Sequence, residues 1–211
     1  YSLIIAHADH IKSVDVAPVT LYNPNEPASF ELLVEAIAEA SAIATALPSV
    51  VTFSASRGLD SPARLIAAGL RRKYEVNGTP ALIYTAENNN HAAEFLETAV
   101  RAWLPDEDVD AILARVVFVN TVISKMCGYG DPARCKQPLA YMATGYDKAF
   151  LVEAFDDILI SRIEFSSTEL LHELAPGITR FREKADLLPF EEAKLYCHNG
   201  MHAFTAYLGK I

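Results

Sequence analysis

The chain has 211 residues, 51% of them hydrophobic and 21% charged, with a formal net charge of −9. That size and balance suit one large domain, or one and a half smaller ones, with a sizeable core. The acidic balance argues against a nucleic-acid groove, which needs clustered Lys and Arg, and no apolar run reaches the roughly 18 residues of a membrane-spanning helix. The one basic cluster, Arg71-Arg72-Lys73, ends a predicted helix, where it complements the negative end of the helix dipole. Three cysteines fit a reducing compartment better than a disulfide framework. Tyr1 to Ala6 has no initiator Met and no basic leader, so it reads as a strand entered part-way through a cytoplasmic protein.

Ser2 to His7 is β-rich, and Pro18 to Tyr22 gives another short strand. Asn25-Glu26-Pro27 starts a helix in which Phe30, Leu33, Val34 and Ile37 follow helical spacing. Ala42 to Ala46 is a short buried strand stopped by Pro48. Ser61-Pro62 opens a second helix that runs towards Asn77-Gly78. Ala81 to Tyr84 is a strand, Ala92 to Leu104 a helix, and Arg115 to Val119 a further strand after a short acidic helix. Alternating strands and helices imply an α/β class with crossover units on a parallel sheet of Rossmann type. Ligands of such sheets bind beyond the carboxyl ends of the strands. Here those ends are Thr45-Ala46-Leu47-Pro48, Thr85-Ala86-Glu87-Asn88 and Asn120-Thr121.

Gly128 to Gly145 reads as loop, and Phe150-Leu151-Val152 and Ile158-Leu159-Ile160 as β-like stretches. Pro189 to Ile211 is helical in composition throughout. The expected division is residues 1–125 as a partial Rossmann-type domain, 126–188 as linker and β-rich extension, and 189–211 as the first helix of a helical substrate domain. A dinucleotide site needs a G-x-G-x-x-G turn between a strand and a helix. The one approximate match, Gly128-Tyr129-Gly130-Asp131-Pro132-Ala133, has no amphipathic helix after it and reads as a Gly-rich surface loop. Cys127-x7-Cys135 fits no common metal spacing. Asn88-Asn89-Asn90-His91 suits a helix-capping turn before Ala92.

The densest chemistry lies in Lys194 to His202. On a regular α-helix Lys194, Asn199 and His202 fall at about 0°, 140° and 80°, offering an amine, an amide and an imidazole to one side. A desolvated lysine there could act as a general base near neutral pH. By spacing alone an amphipathic helix with a wet face is the favoured reading.

The segment KLYCHNGMHAFTAYLGKI (194–211) resembles the Lys-x4-Asn-x2-His helix of the polyol-specific long-chain dehydrogenases, nearest the mannitol-1-phosphate 5-dehydrogenase and mannitol dehydrogenase branch. Ala44-Thr45-Ala46-Leu47-Pro48 resembles that family's T-A-V-G-P strand end, IYTAEN (83–88) its A-C-E-N turn, and Phe118-Val119-Asn120-Thr121 the strand before its V-D-R-I-x-P motif. The resemblance implies hydride transfer between a sugar alcohol, with or without phosphate, and the corresponding ketose, with NAD or NADP. It implies Lys194 as base, Asn88 and Asn199 as donors that polarise the reacting oxygen, and His202 as the group that orients a neighbouring hydroxyl. It also places Thr45 and Ala46 beside the cofactor, and requires no metal. Ser124 and Lys125 stand where the family has Asp and Arg at substrate-binding positions, which leaves the substrate's identity open. Relative to the family, the first βαβ portion and most of the helical domain are expected to be absent, so the chain alone is expected to be inactive. The rival expectation is a non-catalytic fragment or degenerate paralogue serving as a binding or assembly module.

Overall fold

The computed structural model describes residues 2–7, 10–15, 18–125, 127–131, 139–143, 145–153, 157–165, 170 and 178–209. They divide into two compact units, one drawn from residues 1–21 and 124–157, the other from 22–123 and 158–211. Among the described residues no helix is long and apolar enough to cross a membrane.

The second unit carries the α/β pattern. Helix α1 (Pro27–Glu39) has proline in its first turn and buries Phe30, Val34 and Ala38, spaced four apart on one stripe. Helix α2 (Pro62–Glu75) also starts on proline, and the Ser61 hydroxyl accepts from the Arg64 amide as its N-cap. The two helices approach closely at Gly69, where a Cβ would lie 2.3 Å from the Ile37 side chain. Strands β3 (Ala42–Thr45), β4 (Ala81–Thr85) and β5 (Val116–Val122) run parallel and in that order. Helices α3 (Ala92–Arg101) and α4 (Val109–Leu113) lie between β4 and β5 in sequence. Every residue of β4 is buried, as expected of a strand covered on both faces. On one side Ile83 packs with Phe53, Ile66, Leu70, Leu96 and Val100. On the other Leu82 and Tyr84 pack with Val119 and Ile160, and the Phe181 ring meets Tyr84 edge-on at 4.8 Å. Strand β8 (Ile158–Ser161) adds antiparallel to β5, and β9 (Phe181–Lys184) adds parallel to β8.

The first unit is a four-stranded sheet. Its strands are β1 (Ser2–Ala6), β2 (Ile11–Asp15), β6 (Cys127–Gly130) and β7 (Ala149–Val152), in the order β2-β1-β7-β6. The expected strand at Pro18–Tyr22 does not form. The second strand is Ile11–Asp15, paired residue by residue with β1 in an antiparallel hairpin. The expected loop from Gly128 likewise begins as strand: Gly128 and Gly130 sit opposite Leu151 and Ala149 in an antiparallel ladder, so this glycine pair is no phosphate-binding turn. Cys135 and Pro132 lie outside the described residues.

The last helical stretch is not uniform. Helix α5 (Leu188–Ala193) passes into a π-helix at Lys194–Asn199 and then into α6 (Gly200–Leu208).

The basic cluster departs from its simple reading. Arg71 pairs with Glu75 and Arg72 with Glu35 at the surface, but Lys73 is buried at 3% exposure, and its ammonium has no hydrogen-bond partner. Burial, and then the neighbouring Arg115 guanidinium, hold its pKa below the ordinary lysine value. An unpartnered buried donor costs about 1–3 kcal/mol. Lys73→Met is therefore expected to raise the thermal midpoint at neutral pH. The gain should shrink as pH climbs towards the ordinary lysine value, because the wild-type amine then becomes neutral inside the fold. A midpoint that is unchanged or lower at neutral pH rejects this account.

Candidate functional site

The carboxyl ends of β3, β4 and β5 are tied together by buried polar side chains. Glu87, 4% exposed, follows β4 and accepts from the Thr45 hydroxyl at 2.9 Å and from the Leu47 amide at 2.8 Å. The Ala86 amide donates to the Thr45 carbonyl, so backbone and side chain both join the ends of β3 and β4. Thr85 donates its hydroxyl to the Val119 carbonyl, and Thr121 donates back to the Thr85 carbonyl, joining β4 to β5. Asn120 accepts from the Ala93 amide at 2.9 Å, which satisfies one open amide in the first turn of α3, and donates to the Glu94 carboxylate at 2.8 Å. The expected cap from the Asn88–His91 stretch is thus supplied by Asn120. His91, the residue before α3, makes no side-chain cap bond and adopts a left-handed backbone at φ 63°. Few side chains accept that conformation, though histidine is among those enriched there.

Beyond these strand ends opens a pocket of about 380 Å³. Its lining includes Glu87, Asn88, His91, Thr121, Glu191 and Lys194. Asn88 and Lys194, predicted from separate parts of the chain, therefore line the same cavity. Lys194 is half-buried, and desolvation lowers its pKa. Glu191, one helical turn before it and 7% exposed, shifts the other way. Burial raises its pKa first of all, His91 opposes the rise, and Glu94 and Asp186 add to it. Both shifts favour the neutral forms, as expected where water is excluded.

Asn199 and His202 follow Lys194 along the same helical run but are not among the lining residues. His202 meets the His198 ring edge-on at 4.6 Å. Thr45 is buried and spends its hydroxyl on Glu87, while Ala46 beside it is exposed. Ser124 and Lys125 fall in the other unit. Glu87 and Glu191 were not singled out from the sequence. Glu87 lies inside the A-E-N turn and Glu191 three residues before Lys194, and only their burial separates them from surface glutamates. Among the described residues no group of three His, Cys, Asp or Glu comes together as a metal site.

Removing the Glu87 carboxylate leaves the Leu47 amide and the Thr45 hydroxyl without their acceptor. Glu87→Ala should cost about 1–3 kcal/mol. The denaturant midpoint is the measurement, and a change below a few tenths of a kcal/mol rejects the clamp.

No protein-family model matches the chain. Its sequence is 30% identical to the mannitol-1-phosphate 5-dehydrogenase of Lactococcus lactis subsp. lactis (strain IL1403) over 209 residues, which is 98% of this chain and 47% of that protein. The chain thus spans about half the length of the curated relative. Among solved structures it resembles the Pseudomonas fluorescens mannitol 2-dehydrogenase in ternary complex with NAD and D-mannitol. The TM-score there is 0.52 at 15% identity, covering 78% of this chain and 37% of that one. It also resembles a D-sorbitol dehydrogenase in substrate-free form, with a TM-score of 0.54 at 12% identity, covering 80% and 39% respectively. At those identities the two structures speak for the fold, which is the mixed α/β, Rossmann-type arrangement expected from the sequence. The chain is thus similar in sequence, along nearly its whole length, to about half of a mannitol-1-phosphate 5-dehydrogenase, and similar in fold to two dehydrogenases that act on mannitol and sorbitol.

Proposed function

We propose that, in the intact protein, this chain supplies the proton-handling side of an NAD(P)-dependent dehydrogenase that interconverts a sugar alcohol and its ketose. The observation that carries this reading is the meeting of Asn88 and a desolvated Lys194 in one pocket beyond the strand ends. A lysine that gives up its proton below the ordinary range is a usable base near neutral pH. In the oxidation direction the substrate hydroxyl would pass its proton to Lys194 Nζ while the carbinol C–H bond breaks. The Asn88 amide would donate to the oxygen as it acquires carbonyl character, a fixed dipole aimed at changing charge. Asn199 is assigned the second amide contact and His202 the orientation of a neighbouring hydroxyl. Thr45 and Ala46 are assigned the cofactor side, at the ends of the parallel strands where such ligands bind.

The described residues hold no glycine turn fit to cradle a pyrophosphate, since Gly128 and Gly130 are committed to strand β6. In this reading the pyrophosphate is cradled by residues other than these glycines, and Thr45 and Ala46 meet the cofactor from the strand ends. Titration of this chain alone with NADH or NADPH, followed by cofactor fluorescence, should give little or no binding. Tight binding by the chain would overturn that assignment.

In the intact protein, Lys194→Ala should lower turnover by about 10²–10⁴-fold, the usual contribution of a positioned base, while sparing cofactor affinity. Near-wild-type turnover would sink the role given to Lys194. The pH profile has a definite sign. The base must be neutral to accept a proton, so kcat/KM for alcohol oxidation should rise with pH and level off above the Lys194 pKa. That plateau should begin below the ordinary lysine value, in keeping with the desolvation that lowers it. A profile that climbs only at the ordinary lysine pKa argues against Lys194 as the base.

A further inference from the structure

On a regular α-helix the spacing Lys-x4-Asn-x2-His is poorly phased. At 100° per residue, Lys194, Asn199 and His202 spread over about 140°. The helix, however, is not regular there. Lys194–Asn199 is wound as a π-helix, and the Gly200 amide reaches the Leu195 carbonyl five residues back. Each π step turns roughly 80° rather than 100°, because the hydrogen bond closes over five residues instead of four. Five such steps bring Asn199 round to about 40°, and three α steps beyond bring His202 to about −20°.

We propose that this π turn is the device that sets the register of the site. It places the positions of Lys194, Asn199 and His202 within roughly 60° of one another around the helix axis, where an α-helix would spread them over about 140°. The geometric claim stands by itself, while the purpose given to it rests on the function proposed above. The turn behaves as one residue inserted into an α-helix, and the Tyr196 side chain within it is 71% exposed. Removing one residue from the turn and letting it relax to α geometry gives about 0°, 40° and −20°, the original phase. The spacing and the winding are therefore matched: the five-residue step from Lys194 to Asn199 aligns them only while the turn is π.

Two measurements test this. The first needs no activity. In the full chain carrying Cys127→Ser, Cys135→Ser and Cys197→Ser, one variant adds Lys194→Cys with Asn199→Cys, and a control adds Ala203→Cys with Leu208→Cys. Both pairs are five residues apart. In a π turn the Cα atoms lie about 6 Å apart, within disulfide reach, and in an α-helix about 9 Å apart, beyond it. The first pair should cross-link under mild oxidant at least about tenfold faster than the control. Equal rates overturn the proposal.

The second uses the intact protein and deletes Tyr196. The deletion should leave the thermal midpoint nearly unchanged and keep turnover within about tenfold of wild type, or about 1.4 kcal/mol of barrier. A folded deletion variant that loses turnover as fully as Lys194→Ala also overturns it. Absence of polyol turnover in the intact wild-type protein would instead remove the function proposed above, and the cross-linking rates would still decide the winding.

Discussion

The pocket depends on one buried carboxylate. Glu87 reaches from the end of β4 to the end of β3, where it takes the Thr45 hydroxyl and the Leu47 amide. A buried acceptor is tolerable only when it is fully used, and a used one becomes a fixed point. The Asn89 amide folds back onto the Glu87 carbonyl at 2.8 Å, so the turn bearing Asn88 is held at the same place. Thr85, Thr121 and Asn120 extend the lock to β5 and α3. The strand ends thus form a rigid floor, on which a side chain from the terminal helix can meet an amide from the middle of the chain.

Much of the second unit was legible because local signals and packing agree there. Pro27 and Ser61-Pro62 mark helix starts, and the buried positions of α1 recur every four residues. The failures have a common cause, which is that pairing partners are not written locally. Strand β9 reads Phe-Arg-Glu-Lys, with no β-rich run to announce it, and it exists because β8 offers a parallel ladder. Strand β1 was recognised as a strand, yet its neighbour β7 lies far along the chain. Lys73 does lie in the last turn of α2, as the helix-end reading of Arg71-Arg72-Lys73 expects, but only the packing around it reveals its burial.

The site was legible to a different degree. Residue types and family likeness picked out Asn88 and Lys194, which do share a cavity. The angular arithmetic for the terminal helix assumed α winding, and the π segment changes it. Glu87 and Glu191 escaped notice because a glutamate in a turn or a helix is usually solvated, and nothing local separates the buried ones. Their contributions differ: Glu87 organises the floor through hydrogen bonds, whereas Glu191 is a desolvated acid beside a desolvated amine.

The first unit's sheet has a consequence for how the chain comes to be folded. His7 bonds the Val152 carbonyl, and β1 lies parallel to β7, so this sheet closes over a sequence separation of 145. Contacts that distant form late, since the entropy of closing the loop is lost before any pairing is gained. During synthesis at about 5–20 residues per second, β1 and β2 would leave the ribosome on the order of ten seconds before β7 exists. A two-stranded hairpin is marginal by itself, and the edge of β1 that later meets β7 carries Ile5 and Ala6. For that interval it is an open strand edge, liable to pair with the wrong chain, while residues 22–123 of the α/β unit are synthesised.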